Sequence, residues 1–363
     1  MQPDSLKSGK SIDGLQYLRG IAALMVVFFH ARSYFVDVAS WTGIGARGVD
    51  IFFVTSGFVM AYTTKNFASG TSVAKASLLF LAKRFIRVVP LYWLAILWTS
   101  KAYWIHWLAI SSTPADLYAN LDPGIIAIAK DFAFIPHLSI DEDEEGEIFP
   151  ILIQGWTLNY EMFFYFLFGL CMLFQKYRLL AVTAVIVTLV VIGKIFAFHN
   201  VGGLFYTASI LIEFVFGILV FEVHSKTQHL TFDRTPLVIL GVIGFLLLNS
   251  GSNVNDKFVL AVAAAVIVWV FIHAFRGIHI RSLKMLGDAS YSIYLFHAAS
   301  FVAARWFIAY LGISKDGYIN IAAIVMIQVL FALVICFAIY FFIEKPMLKM
   351  FRNMLSRNSA TSP

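Results

Sequence analysis

Arg19 and His30 stand at the two ends of an apolar run, Ile21 to Phe29. Eleven residues is close to three helical turns, so a helix would carry both on one face, about 16 Å apart along its axis. An imidazole is the side chain whose charge changes most readily near neutral pH. Asp50, in Arg47-Gly48-Val49-Asp50-Ile51-Phe52, opens the next apolar run. A carboxylate beside a histidine orients the ring and favours its protonated form. Arg84 and Arg87, in Lys83-Arg84-Phe85-Ile86-Arg87, are three apart and face one way on a helical turn. Their guanidinium forks match the geometry of phosphate oxygens. Glu161 lies in Trp156-Thr157-Leu158-Asn159-Tyr160-Glu161-Met162, an otherwise apolar stretch. A carboxylate there is a candidate functional group and needs a partner, for which Arg32, Arg47 or a histidine would serve. Further along, Ser290, Tyr294 and His297 form a polar stripe within Ser290-Tyr291-Ser292-Ile293-Tyr294-Leu295-Phe296-His297.

Each of these features also has a purely structural reading. Arg19 would snorkel to an interface with His30 as an interfacial residue, and Asp50 would pair with Arg47. Ser56-Gly57 would be a small-residue packing notch. Arg84 and Arg87 would be ordinary basic anchors beside an aromatic belt. The stripe from Ser290 to His297 would supply hydrogen bonds between helices. Residue type and spacing alone leave both readings open.

The elements that must position these residues are membrane helices. The chain is 60% hydrophobic and 13% charged, with a mean hydropathy of +0.81. A soluble domain carries about 25% charged residues. Aromatic residues make up 16%, with 36 Phe, which suits lipid-facing surfaces. The net charge of +6 is explained by basic residues in short loops between apolar runs rather than by a nucleic-acid partner. Cys171 and Cys336 both lie inside apolar runs, so neither a disulfide framework nor a zinc site is expected. No secretory signal peptide is evident in the polar segment Met1 to Gly14.

A crossing helix needs about 20 apolar residues. About ten spans of that kind are expected, at 15–36, 46–64, 88–107, 156–175, 179–198, 204–223, 236–250, 257–275, 290–311 and 318–343. The fold class is therefore an all-α polytopic membrane bundle. Most of the 27 Lys and Arg fall on one side if the N-terminus is cytoplasmic, which places both termini inside. The acidic run from Asp141 to Glu147 then falls in an outer, solvated loop. Residues 1–350 are read as one membrane-embedded domain. Residues 351–363 are read as a polar cytoplasmic tail, part of an end that looks frayed from Leu348 onward.

Taken together, these segments resemble the acyltransferase-3 family of bacterial membrane acyltransferases. The resemblance is carried by Arg19 with His30, Asp50 to Phe58, Arg84 with Arg87, Trp156 to Tyr165, Gly287 to His297 and Glu344-Lys345-Pro346, in the expected order along nearly the whole chain. Gly14 to His30 and Trp156 to Gly169 are most similar to the exopolysaccharide-production branch. Asn159-Tyr160-Glu161 departs from the serine-rich, doubly acidic segment of O-antigen acetylases.

The resemblance implies a catalytic group of His30, Arg19, Asp50 and Glu161, with Arg84 and Arg87 at the donor site. Ser56, Trp156, Tyr291, Ser292, Tyr294 and His297 would line the site. The donor would be acyl-CoA, acetyl-CoA above all, as a co-substrate, with no permanently bound cofactor and no metal. The acceptor would be a sugar hydroxyl of an exopolysaccharide or its lipid-linked precursor. His30 would act as general base or carry the acyl group covalently, with Asp50 or Glu161 holding the ring. Implied partners are membrane lipids and polysaccharide-biosynthesis machinery, in the bacterial cytoplasmic (inner) membrane. Other readings are a non-catalytic exporter of lipid-linked sugars, or the same chemistry on O-antigen, peptidoglycan or a glycosylated small metabolite.

Overall fold

A computed structural model of the chain describes residues 12–33, 45–65, 72–101, 105, 123–139, 146–249, 256–314 and 317–360. Among these residues the regular structure is helical, without strands. In a bilayer this follows from the backbone. Every N–H and C=O in hydrocarbon must be satisfied within its own segment, and a helix does that.

The main helices are α1 (Asp13–Ser33), α2 (Gly48–Thr63), α3 (Val73–Thr99), α4 (Pro123–Phe132), α5 (Gly155–Cys171), α6 (Arg178–Phe196) and α7 (Val201–Tyr206). They continue with α8 (Ile212–Thr227), α9 (Arg234–Leu248), α10 (Lys257–Ala274), α11 (Arg281–Asp288), α12 (Ser290–Tyr310), α13 (Tyr318–Ile339) and α14 (Lys345–Ala360). Six helical stretches among the described residues are long and apolar enough to cross a membrane, and α2 and α9 are shorter apolar helices.

Three differences from the sequence-based expectation have physical causes. Of the expected span 88–107, residues 88–99 form the second half of α3, which starts at Val73, and 102–104 and 106–107 lie outside the described residues. The first half of α3 holds Lys75, Lys83, Arg84 and Arg87, which lower hydropathy but are good helix formers. Arg84 and Arg87 therefore stand on the helix and not in a loop. Pro90 lies inside α3, where it has no N–H for the Ile86 carbonyl. Second, the segment from Lys345 to Ala360 is helical rather than frayed. Third, a turn of π-helix, Tyr340–Glu344, joins α13 to α14. The acidic residues 141–145 lie outside the described residues.

The chain divides into two compact units. Unit 1 comprises Met1–Ser69, Ser209–Tyr294 and Phe301–Leu333; unit 2 comprises Gly70–Ala208, Leu295–Ser300 and Val334–Pro363. In unit 1, α2 crosses α8 at Gly57 and Gly217. A Cβ on Gly57 would run into the Phe214 carbonyl oxygen, and one on Gly217 into that of Val54. Glycine is used there because the two backbones touch. Likewise Gly20 of α1 packs against Gly287 of α11. Tyr17 secures the same region: its hydroxyl donates to the Ile278 carbonyl at 2.9 Å and accepts from the Ile280 N–H at 2.6 Å. Gly57→Val is expected to lose about 1–3 kcal/mol through overpacking. This would be read as a lower melting temperature of the detergent-purified protein, and an unchanged melting temperature would show that the crossing has slack.

In unit 2, α3 packs on α5, where the Ser77 hydroxyl donates to the Gly169 carbonyl at 2.6 Å and the Phe80 and Phe168 rings stack. The segment after α4 is fastened by Asp131. One carboxylate oxygen accepts from His137 Nε2 at 2.8 Å, the other from the Ile151 N–H at 2.9 Å. His137 Nδ1 faces the Leu138 carbonyl at 2.7 Å. Both ring nitrogens thus meet acceptors, which suits an imidazolium. Burial draws the His137 pKa down, but the hydrogen bond and charge of Asp131 outweigh it and lift the value above that of an ordinary histidine. This ion pair fixes the approach to Gly155, where α5 begins.

Candidate functional site

The site residues fall into two groups, one in each unit. In unit 1, α1 carries both Arg19 and His30, each half-buried. His30 sits in the last turn, and its Nδ1 lies 3.0 Å from the Val26 carbonyl oxygen. A carbonyl only accepts, so Nδ1 carries the proton. In the neutral ring Nε2 then holds the basic lone pair. The ring also meets Phe29 edge-on, with centroids 5.2 Å apart. At Nδ1, the helix's own backbone favours this tautomer.

The start of α2 lies against the same stretch of α1, with Gly48 close to the Ala22 carbonyl and the Val26 side chain. Asp50, fully buried, takes a different partner from the one its sequence neighbourhood suggests. Lys257, at the first position of α10, places Nζ 3.0 Å from Asp50 Oδ1 and 3.4 Å from Glu213 Oε1. Glu213 is fully buried at the start of α8. One ammonium thus serves two buried carboxylates, and it ties the first turns of α2, α8 and α10 together. Sequence reading singled out Asp50 but assigned nothing to Glu213 or Lys257. The available signal was a carboxylate inside an apolar run, which must find a cation.

Ser56 is half-buried on α2, one residue before the Gly57 crossing. The first turns of α12 are buried: Ser290 and Ser292 completely, Tyr291 and Tyr294 nearly so. The Tyr294 ring packs edge-on against Phe52 of α2 at 5.7 Å. The polar stripe predicted for this segment thus begins inside unit 1, against α2.

In unit 2, α3 presents Arg84 and Arg87 on adjacent turns. The Arg84 guanidinium lies over the Phe80 ring at 5.5 Å and the Tyr165 ring at 5.8 Å. Such aromatic contact holds the charge flat and in place. The Tyr165 hydroxyl donates to Glu161, one turn earlier on α5, and the Glu161 charge acts on Arg84. Glu161 therefore belongs with Tyr165 and the first of the two arginines. Trp156 starts an aromatic ladder on α5: it meets Tyr160 edge-on at 6.1 Å, and Tyr160 stacks on Phe205 at 4.0 Å. His297 is fully buried, and its carbonyl accepts from the Ser300 hydroxyl at 2.5 Å.

Arg87 holds a partner that sequence reading noted only as part of a motif. Its Nη1 donates to Glu344 Oε1 at 2.6 Å. The Glu344 side chain is wholly buried, whereas that of Arg87 is 27% exposed. Glu344 ends the π-helical turn, an irregularity common at functional sites. The arrangement suits anion capture, since a buried carboxylate aims a part-exposed guanidinium.

Unit 1 thus offers a half-buried imidazole whose Nδ1 meets a backbone carbonyl, and unit 2 offers two arginines with aromatic and carboxylate neighbours. Comparison with known proteins supplies the family. The acyltransferase-3 family model, described as an acyltransferase domain, matches residues 12–343. This chain belongs to the acyltransferase-3 family. It is an acyltransferase, and its apolar helices mark it as a multi-pass membrane protein. It is 33% identical over 319 residues to the exopolysaccharide production protein ExoZ of Rhizobium meliloti (strain 1021), covering 84% of this chain and 90% of that one. It is 39% identical over 119 residues to protein 2 in the picA locus of Rhizobium radiobacter, covering 32% of this chain and 58% of that one. It is also 25% identical over 324 residues to the O-acetyltransferase OatA of Staphylococcus aureus (strain NCTC 8325 / PS 47), covering 81% of this chain and 51% of that one. This acyltransferase thus spans about half the length of OatA. No solved structure matches it.

Proposed function

We propose that this acyltransferase moves an acetyl group from acetyl-CoA to a sugar hydroxyl of an exopolysaccharide or its lipid-linked precursor, in a bacterial cytoplasmic membrane with both termini on the cytoplasmic side. The observation that carries the reading is His30: a half-buried imidazole on a membrane helix whose Nδ1 proton is committed to the Val26 carbonyl. Support for the acceptor comes from the similarity to ExoZ along most of both chains. Support for acetyl transfer to oxygen comes from the similarity to OatA.

In this reading Arg84 and Arg87 take the phosphates of the donor. Nε2 of His30 accepts the proton of the sugar hydroxyl as its oxygen attacks the thioester carbonyl. The C–O bond of the ester forms, the C–S bond breaks, and the imidazolium returns the proton to the departing thiolate. The products are the acetylated sugar and CoA thiol. General base catalysis of this kind is worth typically about 10²–10⁴-fold.

Mass spectrometry of the cell's glycans, with and without the gene, tests the proposal. The expected result is a polymer still made and exported but lacking its acetyl groups, restored by the gene in trans. Polymer retained inside the cell would point to export instead, and unchanged acetylation would remove the acceptor assignment.

A further inference from the structure

Unit 1 holds a second polar feature that acyl transfer does not use, at the ends of α8 and α10. His224 Nδ1 and His273 Nε2 lie 3.5 Å apart. Aromatic rings enclose the pair: Phe58 lies 5.7 Å from His224, and Trp269 and Phe232 lie 4.6 and 5.1 Å from His273. Two exposed cations stand at the rim. The Lys65 ammonium sits 4.4 Å over the Tyr62 ring. Arg276 directs Nη1 to the carbonyls of Gln228 and Leu230, at 2.7 and 3.3 Å. The charges of Lys65 and Arg276 both act on His224. Glu222, two residues before His224, is turned about 200° away around the helix. Among the described residues, the charges acting on the histidine pair are basic. Such a mouth attracts an anion.

The same two helices, with α9, form an apolar groove of about 250 Å³. Its walls include Phe216, Leu219, Val223, Leu240, Val266 and Trp269. The groove runs up to the basic mouth. Val223 adjoins His224 in sequence, and Trp269 is both a wall of the groove and the ring packed on His273. From Phe216 to His224 the helix rises about 12 Å. At the junction the Trp269 indole N–H is buried with no acceptor among the described residues. A soluble phosphate would fill the mouth and leave the groove empty. An uncharged lipid would fill the groove and leave the mouth uncompensated. An aliphatic chain ending in a phosphate fills both, and an ester oxygen supplies the acceptor that Trp269 lacks.

We propose that this feature is a binding site for an anionic glycerophospholipid, with its phosphate between Lys65 and Arg276 and one acyl chain in the α8–α9–α10 groove. The experiment uses the full-length protein in discs of phosphatidylcholine with or without phosphatidylglycerol, followed by release into neutral detergent and native mass spectrometry. Phosphatidylglycerol is expected to be retained in preference to phosphatidylcholine. Lys65→Gln and Arg276→Gln should each weaken that retention about fivefold, the effect of one cation near a lipid surface. Ala265 also lines the groove, and Ala265→Phe, which narrows it, should lower retention with both cations present. Melting temperatures in phosphatidylcholine discs should match the parent for all three variants, so that lost retention is not lost fold. Equal retention of the two lipids overturns the proposal. So does wild-type retention by both cation variants, displacement by inorganic phosphate, or stronger retention of an isoprenyl phosphate.

Discussion

His30→Ala is expected to lower acetyl transfer by about 10²–10⁴-fold, the usual worth of a positioned general base, while the protein still inserts and folds. The reasons are local. His30 is half-buried in the last turn of α1, so truncation opens little of the core. Alanine is the best helix former, and the hydrogen bond that is lost runs from the side chain to a backbone carbonyl of the same helix. What disappears is Nε2. Assay of purified protein, with circular dichroism to verify helicity, separates the two effects. Normal transfer by a well-expressed His30→Ala protein would exclude His30 as the base and leave the family membership untouched.

The second large effect concerns the donor. Arg84→Ala/Arg87→Ala is expected to raise KM for acetyl-CoA by about 10²-fold or more, since hydrogen bonds to charged groups contribute about 1.5–3 kcal/mol each. The effect should fall mainly on KM, because neither arginine is assigned a part in the bond exchange. Arg87→Ala alone introduces a complication that the structure makes explicit. It strands the wholly buried Glu344, and breaking a buried ion pair typically costs about 3–5 kcal/mol. Adding Glu344→Gln removes the stranded charge. Thermal stability should then recover while the raised KM persists. If KM follows stability back to the parent value, Arg87 is a strut rather than a donor ligand.

The sequence made some of this legible because the bilayer penalises polar groups so strongly. Arg19, His30, Asp50 and Glu161 were conspicuous by their settings, and helical spacing set Arg19 and His30 on one helix. Their partners were another matter. Asp50 meets Lys257, 207 positions away, and Arg87 meets Glu344, 257 positions away. No local pattern encodes such distances. Proximity to Arg47 made that residue look like the natural partner of Asp50, but tertiary packing brought a lysine instead. The carbonyl one turn earlier that meets His30 Nδ1 was not foreseen, because every residue of a helix supplies one. Hydropathy also misjudged polar helices. It cut α3 at its basic half and read 348–363 as frayed, because it registers apolarity and is blind to the helix propensity of Lys, Arg, Leu and Met. Pro123, at the first position of α4, was a helix-start signal that a search for long apolar runs passes over.

The bond between His30 and Val26 has an evolutionary corollary. A carboxylate that tunes a histidine is itself a side chain, and drift in a neighbouring helix can delete it. A main-chain carbonyl is immune to that, because every residue supplies one. The contact at Nδ1 is thus insulated from sequence change in the walls around it. On the proposed mechanism, those walls can be recast for another acceptor while this hold on Nδ1 stays in place.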